Sequence, residues 1–187
     1  MLVACDFFTT EVLTKAGLIT YHILFFIKIG SREVKIAGIT RNPNEAWMQQ
    51  IARNLTFPDD GFLTGCRYLI MDRDTKFSKD FRKILWEAGT KLIRLPPNSP
   101  DLNAFAERWI LSVKTECLSK LVLFGEEGLR RALAEFVCHY HAERNHQGKG
   151  NVILFPGKEL DEPARAHPIE CRMRLGGLLK YYYRAAA

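Results

Sequence analysis

Along the first forty residues the apolar positions come in dense short runs; beyond them they recur at helical spacing. The runs "LVACDFFTTEV" (2–12), "YHILFFIKI" (21–29) and "REVKIAGIT" (32–40) are rich in β-branched and aromatic side chains, which predicts three successive strands. The turn glycines Gly17 and Gly30 lie between them, so an antiparallel meander is expected. Asn42 and Pro43 then stop the sheet and read as N-cap and first residue of a helix over 43–57. Its helical period runs through Ala46, Trp47, Gln50, Ile51, Asn54 and Leu55. "YLIM" (68–71) is a short unbroken apolar run, as expected of a strand buried on both faces. A helix from about Ser78 to Ala88 carries Phe81, Leu85 and Trp86 on one face and closes at Gly89. "KLIRL" (91–95) is a further short strand, followed by the rigid loop "PPNSP". Ser99 as cap and Pro100 at the first turn predict a helix with an apolar stripe through Leu102, Phe105, Trp109, Val113 and Cys117. A last helix, about 126–140, carries Leu129, Leu133, Phe136 and Val137.

Three strands, helix, strand, helix, strand, helix, helix is the order of an α/β layer architecture with a mixed sheet, because the later strands need helical crossovers. The chain's 187 residues suit one domain over 1–150, with an irregular basic extension over 151–187. From Arg165 to Arg184 that extension carries Arg165, Arg172, Arg174, Lys180 and Arg184 against Glu170 alone. The net charge of +6 points toward a polyanionic partner such as nucleic acid, while also being compatible with an unspecialised basic protein. The 5 cysteines are odd in number and never spaced as CxxC, which argues against a disulfide framework or a zinc ribbon and suits a reducing cytoplasm. No apolar stretch is long enough to span a bilayer, so no membrane partner is expected.

The acids are where the apolar pattern breaks. Asp6 interrupts the first strand between Cys5 and Phe7, where an unpaired charge is costly. A lone buried Asp commonly accepts backbone N–H groups or pairs with an Arg. Asp72, however, stands at the carboxyl end of the central strand, the edge at which open α/β sheets place their ligands. If the first and fourth strands are neighbours, the two carboxylates lie side by side and repel unless a proton or a hard cation such as magnesium intervenes. Glu107 is displaced by roughly 200° from both Phe105 and Trp109 on its helix, away from the core stripe. It is either a third site acid or a solvated surface residue. Lys114, seven residues on, returns to its face and is suited to holding a phosphate.

The segments "ACDFFTTEV", "IMDRDTKF" and "LPPNSPDLNAFAERWILSVKTE" together resemble the catalytic core of retroviral-integrase-like DNA transposases and insertion-sequence recombinases. That resemblance implies an RNase H-like fold with a mixed five-stranded sheet flanked by helices. It also implies an Asp, Asp, Glu triad, here Asp6, Asp72 and Glu107. The family spaces its last two acids by about thirty-five residues, and here 107 − 72 − 1 = 34 residues separate them. "HYHAERNHQGKG" is similar to the end of this core, with Arg144, His146 and Gly148 in place. Asp74 departs from the pattern, since the family usually has Gly there.

What the resemblance implies is metal-dependent phosphodiester cleavage and DNA strand transfer. Two Mg2+ or Mn2+ ions are expected on Asp6, Asp72 and Glu107, with Asp6 bridging. Lys114, Arg108, Asn103, Arg144 and His146 are expected to contact DNA. A homodimer or higher assembly on element ends and target DNA is implied, in a cytoplasmic, nucleoid-associated setting. Only five residues precede Asp6, so the end-recognition domain usual in the family is expected on another chain, unless this is a remnant or fragment. The rival readings are a two-metal nuclease on the same fold and an inactive DNA-binding remnant of a mobile element. Cys138, His139, His141 and His146 fit no common zinc spacing. "KYYYR" (180–184) reads either as a nucleic-acid contact or as a terminal element packed on the core.

Overall fold

The computed structural model describes residues 1–96, 103–156 and 168–184. Strands β1 (Leu2–Thr14), β2 (Gly17–Lys28) and β3 (Val34–Thr40) form the expected antiparallel meander. Helix α1 (Glu45–Leu55) leads to β4 (Tyr68–Met71), α2 (Lys79–Glu87) and β5 (Lys91–Arg94), with β4 parallel to both β1 and β5. The sheet order is β3-β2-β1-β4-β5, so the two acid-bearing strands are central neighbours. Helices α3 (Ala104–Glu116) and α4 (Gly125–Ala142) complete the core.

Strand alternation divides that core into two layers. Val3, Cys5, Leu24, Phe26, Leu69 and Met71 point to one face and are covered by α1 and α2. Ala4, Phe8, Val12, Ile23, Phe25 and Ile27 point to the other and are covered by α3 and α4. Trp109 anchors the second layer, 4.3 Å from the Phe25 ring and 5.8 Å from that of Phe8 between centroids. This is the α/β architecture with a mixed sheet expected from the element order, in the RNase H-like arrangement that the resemblance implies.

The local corrections all have physical causes. The cap of α1 is Asn44, whose side chain accepts the Trp47 N–H at 2.9 Å, whereas Asn42 is held in a turn by Thr40. Shifting the cap moves the buried stripe to Met48, Ile51, Ala52 and Leu55 and leaves Ala46, Gln50 and Asn54 exposed. Trp47 packs where β3 has Gly38; a Cβ there would stand 2.5 Å from the indole, so the strand needs glycine at that point. Trp86 is not core but 69% exposed, leaving Phe81 and Leu85 to bury α2. Phe105 is 43% exposed because Ala106 takes the buried position; its ring lies 3.5 Å from the Arg32 guanidinium. Ser99, Pro100 and Leu102 lie outside the described residues, and Asn103 precedes the described start of α3.

Beyond α4, β6 (Asn145–His146) and β7 (Val152–Ile153) pair as a short ladder. The extension expected to be irregular instead holds an antiparallel hairpin, β8 (Ile169–Arg174) and β9 (Leu179–Arg184). Its root joins the α3/α4 layer through Leu179, which is 5% exposed. Arg174 explains why a basic segment settles there. It spans Glu135 on α4 and Glu143 at the helix's C-terminal cap, with its closest contact to Glu143 at 2.6 Å. Burial alone would raise the Glu143 carboxyl, but hydrogen bonds from Arg174 and His139 outweigh it and bring its pKa down to about 2. Among the described residues no helix is long and apolar enough to cross a membrane.

Candidate active site

The placement of Asp6 and Asp72 follows from strand register. β1 and β4 pair in parallel with Leu2 opposite Tyr68, Val3 opposite Leu69 and Ala4 opposite Ile70. Carrying that register two residues further sets Asp6 opposite Asp72, at the point where β4 has just ended. Because side chains alternate, Asp6 shares the face of Ala4 and Phe8, and Asp72 follows Ile70, which packs against the same layer. Both acids therefore belong to the face covered by α3, the helix that carries Glu107 in its first turn.

Electrostatics show that these acids feel one another. Burial is the largest influence on Asp6 and raises its pKa from 3.8 to about 6, opposed by the Phe7 N–H and reinforced by the charges of Asp72, Glu107 and Asp74. The Phe7 N–H donates to Asp6 Oδ1 at 2.7 Å and fixes one carboxylate oxygen. No group of three or more His, Cys, Asp or Glu side chains among the described residues is gathered tightly enough to enclose one metal ion. The donor chemistry nonetheless suits a hard cation: carboxylate oxygens of Asp6 and of Asp72 from neighbouring segments, with burial disfavouring the negative charge of Asp6.

Asp72 and Asp74 are separated by their partners. Asp72 Oδ1 accepts the Asp74 N–H at 3.0 Å, an Asx turn that shapes the loop leaving β4. Asp74 accepts the Lys76 N–H at 2.9 Å and forms an ion pair with Lys76 Nζ at 2.6 Å. Its charge is thus engaged within its own loop. Lys76 Nζ in turn lies 5.4 Å from the ring of Phe7, the neighbour of Asp6, so a cation stands beside the acids that sequence reading did not single out. The alternation of Asp74 and Lys76 in "DTKF" was the available signal.

The five residues expected to touch DNA divide into two groups. Arg108 and Lys114 are exposed on α3, Lys114 with its Nζ 5.9 Å from the Phe8 ring centroid. Asn103, Arg144 and His146 are committed to the fold instead. Asn103 is 6% exposed and donates its side-chain amide to the Cys5 carbonyl at 3.4 Å. Arg144 grips Glu116 with two hydrogen bonds, at 2.6 and 2.9 Å. His146 is buried, with Nε2 2.7 Å from the Tyr140 carbonyl and its ring set edge-on against the Tyr140 ring. The neighbouring histidines are likewise occupied, His139 by Glu143 and His141 by the Val34 N–H at 2.9 Å.

Asp6 on β1 and Asp72 just past the parallel neighbour β4, beneath a helix bearing Glu107, lie in a sheet of RNase H-like order. Residues 88–152, which include Glu107, Lys114 and Arg144, match the family model described as integrase core domain. Among solved structures, the chain is similar to one in the simian T-cell lymphotropic virus intasome complexed with PP2A regulatory subunit B56 gamma. That match has 12% identity and a TM-score of 0.57, covering 98% of this chain and 66% of the other. It is also similar to the magnesium complex of the HTLV-2 integrase catalytic core domain in its dimeric form, with 13% identity and a TM-score of 0.56, covering 79% and 90%. The trimeric form of that core gives 12% identity and a TM-score of 0.57, covering 81% and 91%. No curated protein matches the chain.

Proposed function

We propose that this chain is the catalytic core of a DNA transposase or integrase, a polynucleotidyl transferase that cleaves and rejoins phosphodiester bonds. The observation that carries the reading is the register that brings Asp6 and Asp72 together on the α3 face, where Asp72 and Glu107 both act on the Asp6 carboxyl. The integrase core match over residues 88–152 supports it. Asp6, Asp72 and Glu107 are the residues that would hold two Mg2+ or Mn2+ ions. Such ions, when bound, activate the attacking oxygen and stabilise the leaving 3′ oxygen.

The chain's own residues orient the site. The Phe7 N–H fixes one oxygen of Asp6, and the Asp74 N–H does the same for Asp72. Asn103 ties the start of α3, and with it Glu107, to the strand that carries Asp6. Arg108 and Lys114 offer exposed cations on α3 to the DNA backbone. Element-end and target DNA are the substrates, and the dimeric and trimeric integrase cores it resembles favour an oligomer for this chain too.

The test is a branched DNA that mimics a strand-transfer product, incubated with Mg2+ or Mn2+ beside the Glu107→Gln variant. Metal-dependent resealing that disappears in the variant supports the transferase. Hydrolytic nicking without resealing would replace it by a nuclease on the same fold. Resealing retained by Glu107→Gln would remove Glu107 from the reaction.

A further inference from the structure

The turn between β2 and β3 contains a side chain in a conformation that suits glycine. Arg32 has φ +65°, in the left-handed region where any Cβ is strained. Such outliers persist where the surrounding contacts over-determine them, and this turn is closely held. The Arg32 N–H donates to the Lys28 carbonyl at 2.8 Å, and its Nη1 donates to the Ile29 carbonyl at 2.6 Å. Lys149 Nζ donates to the Gly30 carbonyl at 2.9 Å. The Ile29 N–H donates to the Leu2 carbonyl at 3.0 Å, which fastens the turn to β1, the strand of Asp6.

From this anchored turn the Arg32 guanidinium reaches over the Phe105 ring, its carbon 3.5 Å from the ring centroid. Burial is the largest influence on Arg32 and lowers its pKa, so the cation is partly stripped of water, the setting in which a cation–π contact is strongest. Phe105 lies in the first turn of α3, two residues before Glu107. Asn103, at the N-cap position, gives its side-chain amide to the Cys5 carbonyl at 3.4 Å and does not cap the helix. A helix start that its own N-cap residue leaves open frays readily. Phe105 and Glu107 stand roughly 200° apart around the helix, so a grip on Phe105 sets the rotation that aims Glu107.

We propose that Arg32 is a positioning residue for Glu107: stacked on Phe105, it clamps the first turn of α3 against the turn that is fastened to the strand of Asp6. Glycine would take this backbone conformation without strain, so the turn alone does not call for arginine. The proposal deepens the proposed function and rests on it, because Glu107 must be aimed only if the carboxylates hold the metal ions.

The test is a double-mutant cycle on the full chain, read as kcat and KM for resealing of branched DNA with Mn2+. The variants are Arg32→Gly, Phe105→Leu and the two combined, with Phe105→Tyr as the replacement that keeps a ring face. Arg32→Gly and Phe105→Leu are each expected to lower kcat roughly tenfold with KM unchanged, since a small misplacement of a reacting group is costly. The double variant should lose no more than either single one, and Phe105→Tyr should keep the unsubstituted rate. Amide hydrogen exchange in Arg32→Gly should accelerate over residues 104–108 and not in β1. A raised KM with unchanged kcat in Arg32→Gly, beside a silent Phe105→Leu, would make Arg32 a DNA contact and overturn the proposal. Faster exchange over 104–108 with unaltered kcat would also overturn it and leave the transferase standing, because the clamp would then serve the fold alone. Should the unsubstituted chain reseal nothing, the variants are read by the rise in melting temperature that Mn2+ gives. A rise that Glu107→Gln abolishes and Arg32→Gly reduces would keep the clamp and remove the transferase. A rise that Arg32→Gly leaves whole, or no rise in any variant, would remove the clamp as well.

Discussion

Asn103 and Cys5, 98 residues apart in sequence, are joined by a hydrogen bond of 3.4 Å from the asparagine amide to the cysteine carbonyl. Cys5 precedes Asp6, and Asn103 lies one turn before Glu107, so this bond couples the positions of two of the three acids proposed for the site. Among the described residues the buried Oδ1 atom of Asn103 has no hydrogen-bond partner, whereas its amide has one. Asn103→Ala is expected to cost the fold only about 0.5–1.5 kcal/mol, the worth of one neutral hydrogen bond. Resealing should fall by on the order of 10²-fold, because a small displacement of Glu107 is costly to chemistry. Calorimetry and turnover on branched DNA separate the two effects, and equal small losses in both would make the bond merely structural.

The raised pKa of Asp6 has a sign that can be checked. Its folded value of about 6 exceeds the ordinary 3.8, so the fold prefers the protonated acid. That preference stabilises fully below about pH 4 and is lost as pH rises through 6. Asp6→Asn should therefore be more stable than the unsubstituted chain at pH 7.5 in chelator, by up to ~3 kcal/mol, and nearly equal to it at pH 4. Thermal melts at the two pH values read this directly. Added Mn2+ should raise the melting temperature of the unsubstituted chain above pH 6 and leave Asp6→Asn almost unmoved. A stability difference independent of pH would mean that Asp6 is not held in a charge-disfavouring setting.

Asp72 and Asp74 make a sharper pair. Asp72 stands at the register position of Asp6, whereas Asp74 is paired with Lys76 at 2.6 Å. Asp72→Asn is expected to abolish resealing, a loss beyond ~10³-fold, since electrostatic stabilisation of a transition state is commonly worth that much. Asp74→Asn should change the rate by only a few-fold, and partly exposed pairs of this kind add little to stability. Comparable losses in the two variants would show that the loop acid acts in the site.

Much of this was legible in the sequence because it rests on local pattern. The apolar runs of β1 to β3 and their turn glycines announce a meander, and "YLIM" ending at Asp72 announces a central strand. What the pattern does not contain is the partner of each polar group. Asn103, Arg144 and His146 match the motif of a DNA-contacting segment, yet each is spent on a group distant in sequence or around a helix end. Trp86 and Phe105 fail for a related reason. Helical period says which residues share a face, but the width of the covered stripe depends on the neighbour, and at α3 Ala106 fits beneath the helix where Phe105 does not. The β8–β9 hairpin was hidden because its anchor is ionic: five basic residues read as an irregular basic extension until Glu135 on α4 and Glu143 at its end are placed opposite Arg174.

That ionic anchor yields a last prediction. The Glu143 side chain is 1% exposed and receives Arg174 at 2.6 Å and His139 at 3.0 Å, which together bring its pKa from 4.5 to about 2. A carboxyl depressed on folding stabilises above its unfolded value and loses that contribution as pH falls through the folded one, here between about 4.5 and 2. Glu143→Gln removes the charge while keeping the shape. It leaves a half-buried guanidinium with Glu135 as its remaining acid, an uncompensated change that commonly costs ~3 kcal/mol. Because the lost contact belongs to the hairpin, the damage should be local. Amide hydrogen exchange is expected to accelerate across β8 and β9 while β1 and β4 keep their protection. Unchanged protection of the hairpin in Glu143→Gln would show that Leu179 and the tyrosine stack hold the ribbon without it.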